Sequence, residues 1–115
     1  MTTSRGGNLP SREVISNTMH AVVQVVALRQ AFLGGMSPAW TGSGTIVHPS
    51  GIILTNCHVA NPRAMGMSAP PADRLAIAIT ERSDQPPVVT YFAQVLVQAP
   101  EMDLALLKIV AGVDG

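Results

Sequence analysis

Two short apolar runs, Thr45 to Val47 and Ile52 to Leu54, stand on either side of Pro49-Ser50-Gly51. Proline and glycine punctuate the chain because one fixes φ and the other frees it, and β-branched residues fit a pleated, half-buried surface. Together they predict a strand, a tight turn and a returning strand. The second strand leads into Thr55-Asn56-Cys57-His58-Val59, with Val59 and Ala60 continuing for one turn before a loop opens at Asn61-Pro62. The hairpin therefore delivers a histidine to one end of whatever sheet it joins. Further along, an apolar run opens on a carboxylate, Asp103-Leu104-Ala105-Leu106-Leu107-Lys108-Ile109.

The rest of the chain repeats the pattern of short strands and Gly/Pro turns. Residues 1–10 are polar with two glycines and read as a disordered lead-in, leaving 11–115 as one domain. Ser11 is placed to cap a short helix, with Glu13 in its first turn and Val14, Ile15 and Met19 on one face. Ala21 to Leu28 is a β-branched run, and Gly34, Gly35 and Pro38 form the loop after it. In Gly42-Ser43-Gly44 the absent side chains allow backbone or a substrate to come close. The segment from Met65 to the paired Pro70 and Pro71 is irregular, because prolines remove donors. Leu75, Ile77 and Ile79 alternate as on one strand face, and the long run 88–99 bends near Ala93. Strands are expected near residues 21–28, 43–47, 52–56, 74–80, 88–98 and 103–110. Six strands at this spacing predict an all-β, six-stranded antiparallel barrel.

Composition removes several function classes. Lysine plus arginine equal aspartate plus glutamate at 7 each and charged residues are 12%, so no nucleic-acid-binding patch and no attraction to anionic membranes is expected. No run reaches the roughly 18 apolar residues of a membrane span. Gln24 interrupts the first apolar run, which about twenty mostly polar residues precede, so no secretory signal is read and the chain alone points to the cytoplasm. One cysteine forms no internal disulfide, and three dispersed histidines match no zinc spacing, so neither a metal nor a cofactor is expected. An apolar fraction of 47% is high for a small domain without net charge, and implies a face that something else covers.

The linked motifs Gly42-Ser43-Gly44, Thr55-Asn56-Cys57-His58-Val59 and Asp103-Leu104-Ala105-Leu106-Leu107-Lys108, over roughly residues 14 to 110, resemble the trypsin-like serine peptidases, most closely the bacterial high-temperature-requirement A type. The resemblance implies that this is the first of two barrels, with His58 as general acid/base and Asp103 as the carboxylate that orients it. It implies a protein or peptide substrate. The family's nucleophile lies in a Gly-Asp-Ser-Gly-Gly-like segment of the second barrel, and no such segment occurs among the 115 residues, so the chain is expected to be an incomplete peptidase domain, inactive alone. The pocket that selects a side chain lies in that second barrel as well, so no preference for arginine or lysine is implied. Many bacterial relatives are exported, which sets a periplasmic expectation against the cytoplasmic one.

Cys57 is next to His58, but neighbours on an extended strand point to opposite faces, which makes Cys57 buried filler rather than a thiol nucleophile. Ser43 precedes both motif residues and matches a first-barrel strand. His20 and His48 fall at a helix end and a turn and are expected to be exposed. The alternative function is a non-catalytic module that captures an extended peptide on an open edge strand, and a third is a barrel that pairs with a separately encoded second one.

Overall fold

The computed structural model describes residues 22–68, 72–80 and 85–113. Six strands, β1 (Val22–Gln30), β2 (Met36–His48), β3 (Ile52–Thr55), β4 (Arg74–Ile79), β5 (Val88–Ala99) and β6 (Leu104–Gly112), form a closed antiparallel barrel in the order β1-β2-β3-β6-β5-β4. The all-β barrel expected from the turn spacing is the observed fold. The expected lead-in, the helix starting at Ser11 and His20 lie outside the described residues.

Barrel closure follows from burial alternation. Val23, Val25, Ile46, Ile53, Ile77, Leu107 and Ile109 point inward and form the main core with Tyr91 and several alanines. Each fully buried Val, Leu or Ile contributes about 1.5–3 kcal/mol. Inward and outward residues alternate along β3 and β6, as period-2 pleating requires. β4 departs from that pattern. Leu75 and Ile77 face the core as expected, but Ala76 and Ala78 are buried too, in a second cluster with Val26 and Leu28 on the opposite face of the sheet. The alanines are small enough to be covered without leaving an alternation signal.

Three boundaries differ from the sequence expectation. β2 starts at Met36 rather than near Ser43, because the chain reverses tightly at Ala31 to Gly35, where Gly34 and Gly35 take φ of +99° and +75°. Pro38 therefore lies in a strand, at a register shift where Ala27 pairs with Trp40 and Leu28 with Pro38. A bulge tolerates the missing N–H. β3 stops at Thr55, and Cys57–Ala60 form one helical turn, α1, followed by a 3₁₀ turn over Pro62–Met65 with the proline in its first turn. Asp103 precedes β6 instead of starting it, at the end of the 3₁₀ turn Pro100–Met102. β5 is a single long strand with register shifts at Phe92/Ala93 and Val95/Val97, in keeping with the expected bend.

Candidate active site

The register of the barrel brings the two motif residues together. β3 pairs with both β2 and β6, with Thr55 opposite Gly44 on one side and Ala105 on the other. Whatever follows Thr55 therefore meets whatever precedes Leu104. The buried Thr55 hydroxyl donates to the Ser43 carbonyl at 2.7 Å, so the polar end of β3 is satisfied inside the barrel rim.

Helix α1 is a single turn and cannot hold its own shape. Its supports come from elsewhere in the fold. Asn56 occupies the N-cap position without a side-chain cap, and Asp103 supplies the missing acceptor: the His58 backbone N–H donates to Asp103 Oδ1 at 2.9 Å. Behind α1, the Trp40 indole N–H donates to the Val59 carbonyl at 2.9 Å. Val59 also fills the space that a Cβ on Gly42 would need, since such an atom would lie 2.4 Å from Val59 Cγ2. The glycine opens room for a side chain, where the sequence suggested backbone or substrate.

The second oxygen of Asp103 meets the ring. His58 Nδ1 and Asp103 Oδ2 are 2.7 Å apart across 45 residues of sequence. An ionised carboxylate only accepts, so Nδ1 carries the proton and Nε2 is left as the basic nitrogen. Asp103 itself sits at φ +52°, a conformation aspartate adopts more readily than most residues. Asn56 Nδ2 donates to the Asp103 carbonyl at 3.0 Å, and the Asp103 N–H donates to the Pro100 carbonyl at 3.0 Å. The hydrogen bond from the His58 backbone, then that from the ring, hold the Asp103 carboxyl below the usual carboxylate range. The side chains of His58 and Asp103 remain 46% and 34% exposed, so the pair lies on an open rim rather than in a dry cleft.

An oriented imidazole with a free basic nitrogen, held by a carboxylate, is an arrangement for moving protons to and from a hydroxyl or amine. The chain is similar to serine protease HTRA1 of Xenopus tropicalis. The two are 36% identical over 100 residues, which is 86% of this chain and 18% of that protein's length. No family model matches the chain. The likeness points, at the coarse level, to the trypsin-like serine peptidases.

Beside the His58–Asp103 pair, the other candidate residues have plain places. Cys57 is fully buried, as expected, but the reason differs: it turns inward on α1 and not on an extended strand. Burial, with smaller contributions from the Asp103 and Glu101 charges, pushes its thiol pKa up and away from thiolate character. Ser43 is exposed and offers its carbonyl to Thr55. His48 is exposed at the β2–β3 turn, with Nδ1 2.8 Å from the Ser50 hydroxyl. Among the described residues, no three His, Cys, Asp or Glu side chains converge as a metal site would require. Two residues that position the pair, Asn56 and Trp40, went unassigned at the sequence level. Asn56 stands inside the Thr-Asn-x-His motif, which was a usable signal; Trp40 acts through a backbone carbonyl 19 residues away and leaves none.

Proposed function

We propose that this barrel is the His/Asp-bearing half of a trypsin-like serine endopeptidase of the high-temperature-requirement A type, and that the serine nucleophile and oxyanion-hole amides belong to a second barrel. The observation that carries the reading is the double hydrogen bond of Asp103 to the ring and backbone of His58, at 2.7 and 2.9 Å. In the reaction, His58 Nε2 takes the serine proton as the hydroxyl oxygen attacks the scissile carbonyl. It then returns that proton to the leaving amine, while Asp103 holds the tautomer and stabilises the imidazolium. A water molecule repeats the sequence to release the acyl group.

Support for a second barrel comes from the outer face of β3 and β6. Leu54, Leu104 and Leu106 point away from the core there, beside the site, on a surface that would otherwise be wet. Among the described residues no serine or threonine hydroxyl is hydrogen-bonded to the His58 ring, in keeping with a nucleophile supplied from elsewhere. The 115-residue chain alone is therefore inactive in this reading. The competing module that captures a peptide on an open edge loses its main argument, since β1 pairs with β4 and closes the sheet.

The test is to sequence the transcript beyond the codon for Gly115 and to treat the purified 115-residue chain with a fluorophosphonate probe. A reading frame that continues to a Gly-Asp-Ser-Gly-Gly-like segment, with no labelling of the 115-residue chain, supports the proposal. A stop codon with no separately encoded second barrel would leave His58 and Asp103 idle and favour a binding module.

A further inference from the structure

β5 outruns one of its two neighbours. β4 has 6 residues and β5 has 12, and the ladder between them ends where Leu75 faces Ala93. From Gln94 to Ala99, β5 keeps β6 on one side and, among the described residues, has no strand on the other. The ring is closed through β1 and β4, yet a short length of sheet edge is left at this end of β5. Asp73 accounts for the short β4. Its N–H donates to the Leu28 carbonyl at 2.8 Å and its Oδ2 accepts from the Gln30 N–H at 2.6 Å, which turns the chain ahead of Arg74 toward β1 and away from β5.

The usual protections of a sheet edge are lysine, proline or a covering element. Here Gln94, Val95, Leu96, Val97 and Gln98 are all exposed and uncharged, and the middle three are apolar. One bulge interrupts the run at Leu96, since Val95 pairs with Leu107 and Val97 with Leu106. Beside the edge lies a recess of about 340 Å³, walled by Gln94 and Val95 of β5, by Ala60 and Asn61 at the end of α1, and by Asp73 and Arg74 where β4 begins. Its mixed lining suits a peptide backbone. The Gln94 carboxamide both donates and accepts, and Asn61, whose Nδ2 reaches Gln98 Oε1 at 3.3 Å, keeps its own oxygen as an acceptor. Pro62 and Leu75 supply apolar contact. The two charges are opposite in sign and already engaged, Asp73 with the Gln30 N–H and Arg74 stacked 4.1 Å from the Phe92 ring centre, so the recess favours no charge.

We propose that this edge binds an extended, uncharged segment of another polypeptide, which adds a strand to β5 in the place a longer β4 would occupy. The added strand completes the backbone hydrogen bonds that β5 lacks on that side, and the recess receives every second side chain. Small or branched apolar side chains fit best, because alanines at 60 and 72 leave the walls shallow. A second copy of the chain suits the recess less well: α1 stands opposite β5 and leaves room for one strand, whereas a barrel edge brings its neighbouring strand with it. The contact uses neither His58 nor Asp103, so it stands or falls independently of the proposed function. Where that function holds, the bound segment lies alongside the turn of helix that carries His58.

The experiment is a fluorescence-anisotropy titration of the fluorescein-labelled, end-blocked peptide Ser-Val-Thr-Val-Thr-Ser with the purified 115-residue chain, together with amide hydrogen exchange of the complex. Binding is expected to slow exchange of amides between Gln94 and Gln98 by about tenfold or more and to leave those of β1 unchanged. Val95→Lys and Leu96→Lys, at exposed positions, are expected to keep the wild-type circular dichroism spectrum and to raise the dissociation constant about tenfold or more. On the wild-type chain, the same peptide N-methylated at every second residue, made in both registers, keeps the side chains but breaks the ladder, and at least one register should bind as weakly. Leu54→Lys on β3, and Phe32→Ser/Leu33→Ser at the exposed tip of the β1–β2 hairpin, should bind like wild type. Absence of binding at about 1 mM peptide overturns the proposal. So does undiminished affinity for both N-methylated peptides or in both lysine variants, and so does loss of binding on Leu54→Lys or on the tip variant, which would place the peptide elsewhere. A chain that sediments as a dimer, with amides 94–98 protected before peptide is added, overturns it too, because a second copy then holds the edge.

Discussion

Asp103 carries two tasks with two oxygens, and they can be separated by pH. Its folded-state pKa is depressed by hydrogen bonds that the unfolded chain lacks. The stability it contributes is therefore fully present above about pH 4, where an unfolded aspartate is also ionised, and is lost as pH falls through the lower folded-state value. Urea midpoints of wild type and Asp103→Asn should differ at pH 7 and draw together as the pH falls through the depressed folded-state value, while a gap that stays constant would mean that the charge is not what matters. The second task is orientation. An asparagine can turn its amide N–H toward Nδ1, which then accepts, leaving the proton on Nε2 and the imidazole unable to act as base. In the full-length peptidase of the proposed function, kcat for Asp103→Asn should fall by about 10³–10⁴-fold, with KM little changed, as measured by steady-state hydrolysis of a peptide substrate.

At the scale of elements, α1 is the part on which the site depends, and one turn of helix is stable only because β2 and Asp103 hold it. Gly42→Ala would drive a Cβ into Val59 at 2.4 Å and push α1 off its seat. The expected cost is about 1–3 kcal/mol, seen as a fall in Tm of about 5–15 °C. Adding Val59→Ala to Gly42→Ala should recover part of that loss, so that the two changes are strongly non-additive. This dependence also explains what the sequence could reveal. Strand number and the Pro49-Ser50-Gly51 turn were legible because turn chemistry is local, and His58 and Asp103 were legible through flanking motifs. The turn expected at Val59 and Ala60 was legible, but its start at Cys57 and His58 was not, since those residues follow a strand directly and are held in the turn by an aspartate 45 positions away from His58. Pro38 was read as loop for a similar reason: its place in β2 depends on a bulge against Leu28, which is a property of the pair and not of either segment. Ala76 and Ala78 gave no sign of a second buried face, because alanine carries almost no periodic signal.

Seen whole, the molecule distributes its apolar surface unevenly. The barrel interior is packed and, among the described residues, no buried side-chain polar atom lacks a partner, so the core is a finished structure. The apolar excess lies outside it, at the β1–β2 tip and on the outer face of β2, β3, β5 and β6, where Val47, Leu54, Val97 and Val110 are all exposed. A closed barrel with a saturated core gains nothing by placing leucine and valine in water, so the outer face is best understood as half of an interface whose other half, in the proposed function, is the second barrel. A face of this kind should bind an apolar dye without any loss of secondary structure. Anilinonaphthalene sulfonate fluorescence of the purified 115-residue chain is expected to be well above that of a conventional folded domain, and Leu54→Asn/Val97→Asn to reduce it severalfold while the far-UV spectrum and the Tm stay near wild type, because neither side chain belongs to the core. If the double change instead lowers Tm by more than about 8 °C, these residues support the barrel itself and the face is no interface. If fluorescence is unaffected, the dye reports on the Phe32 tip, and the two apolar surfaces are separated by the same measurement.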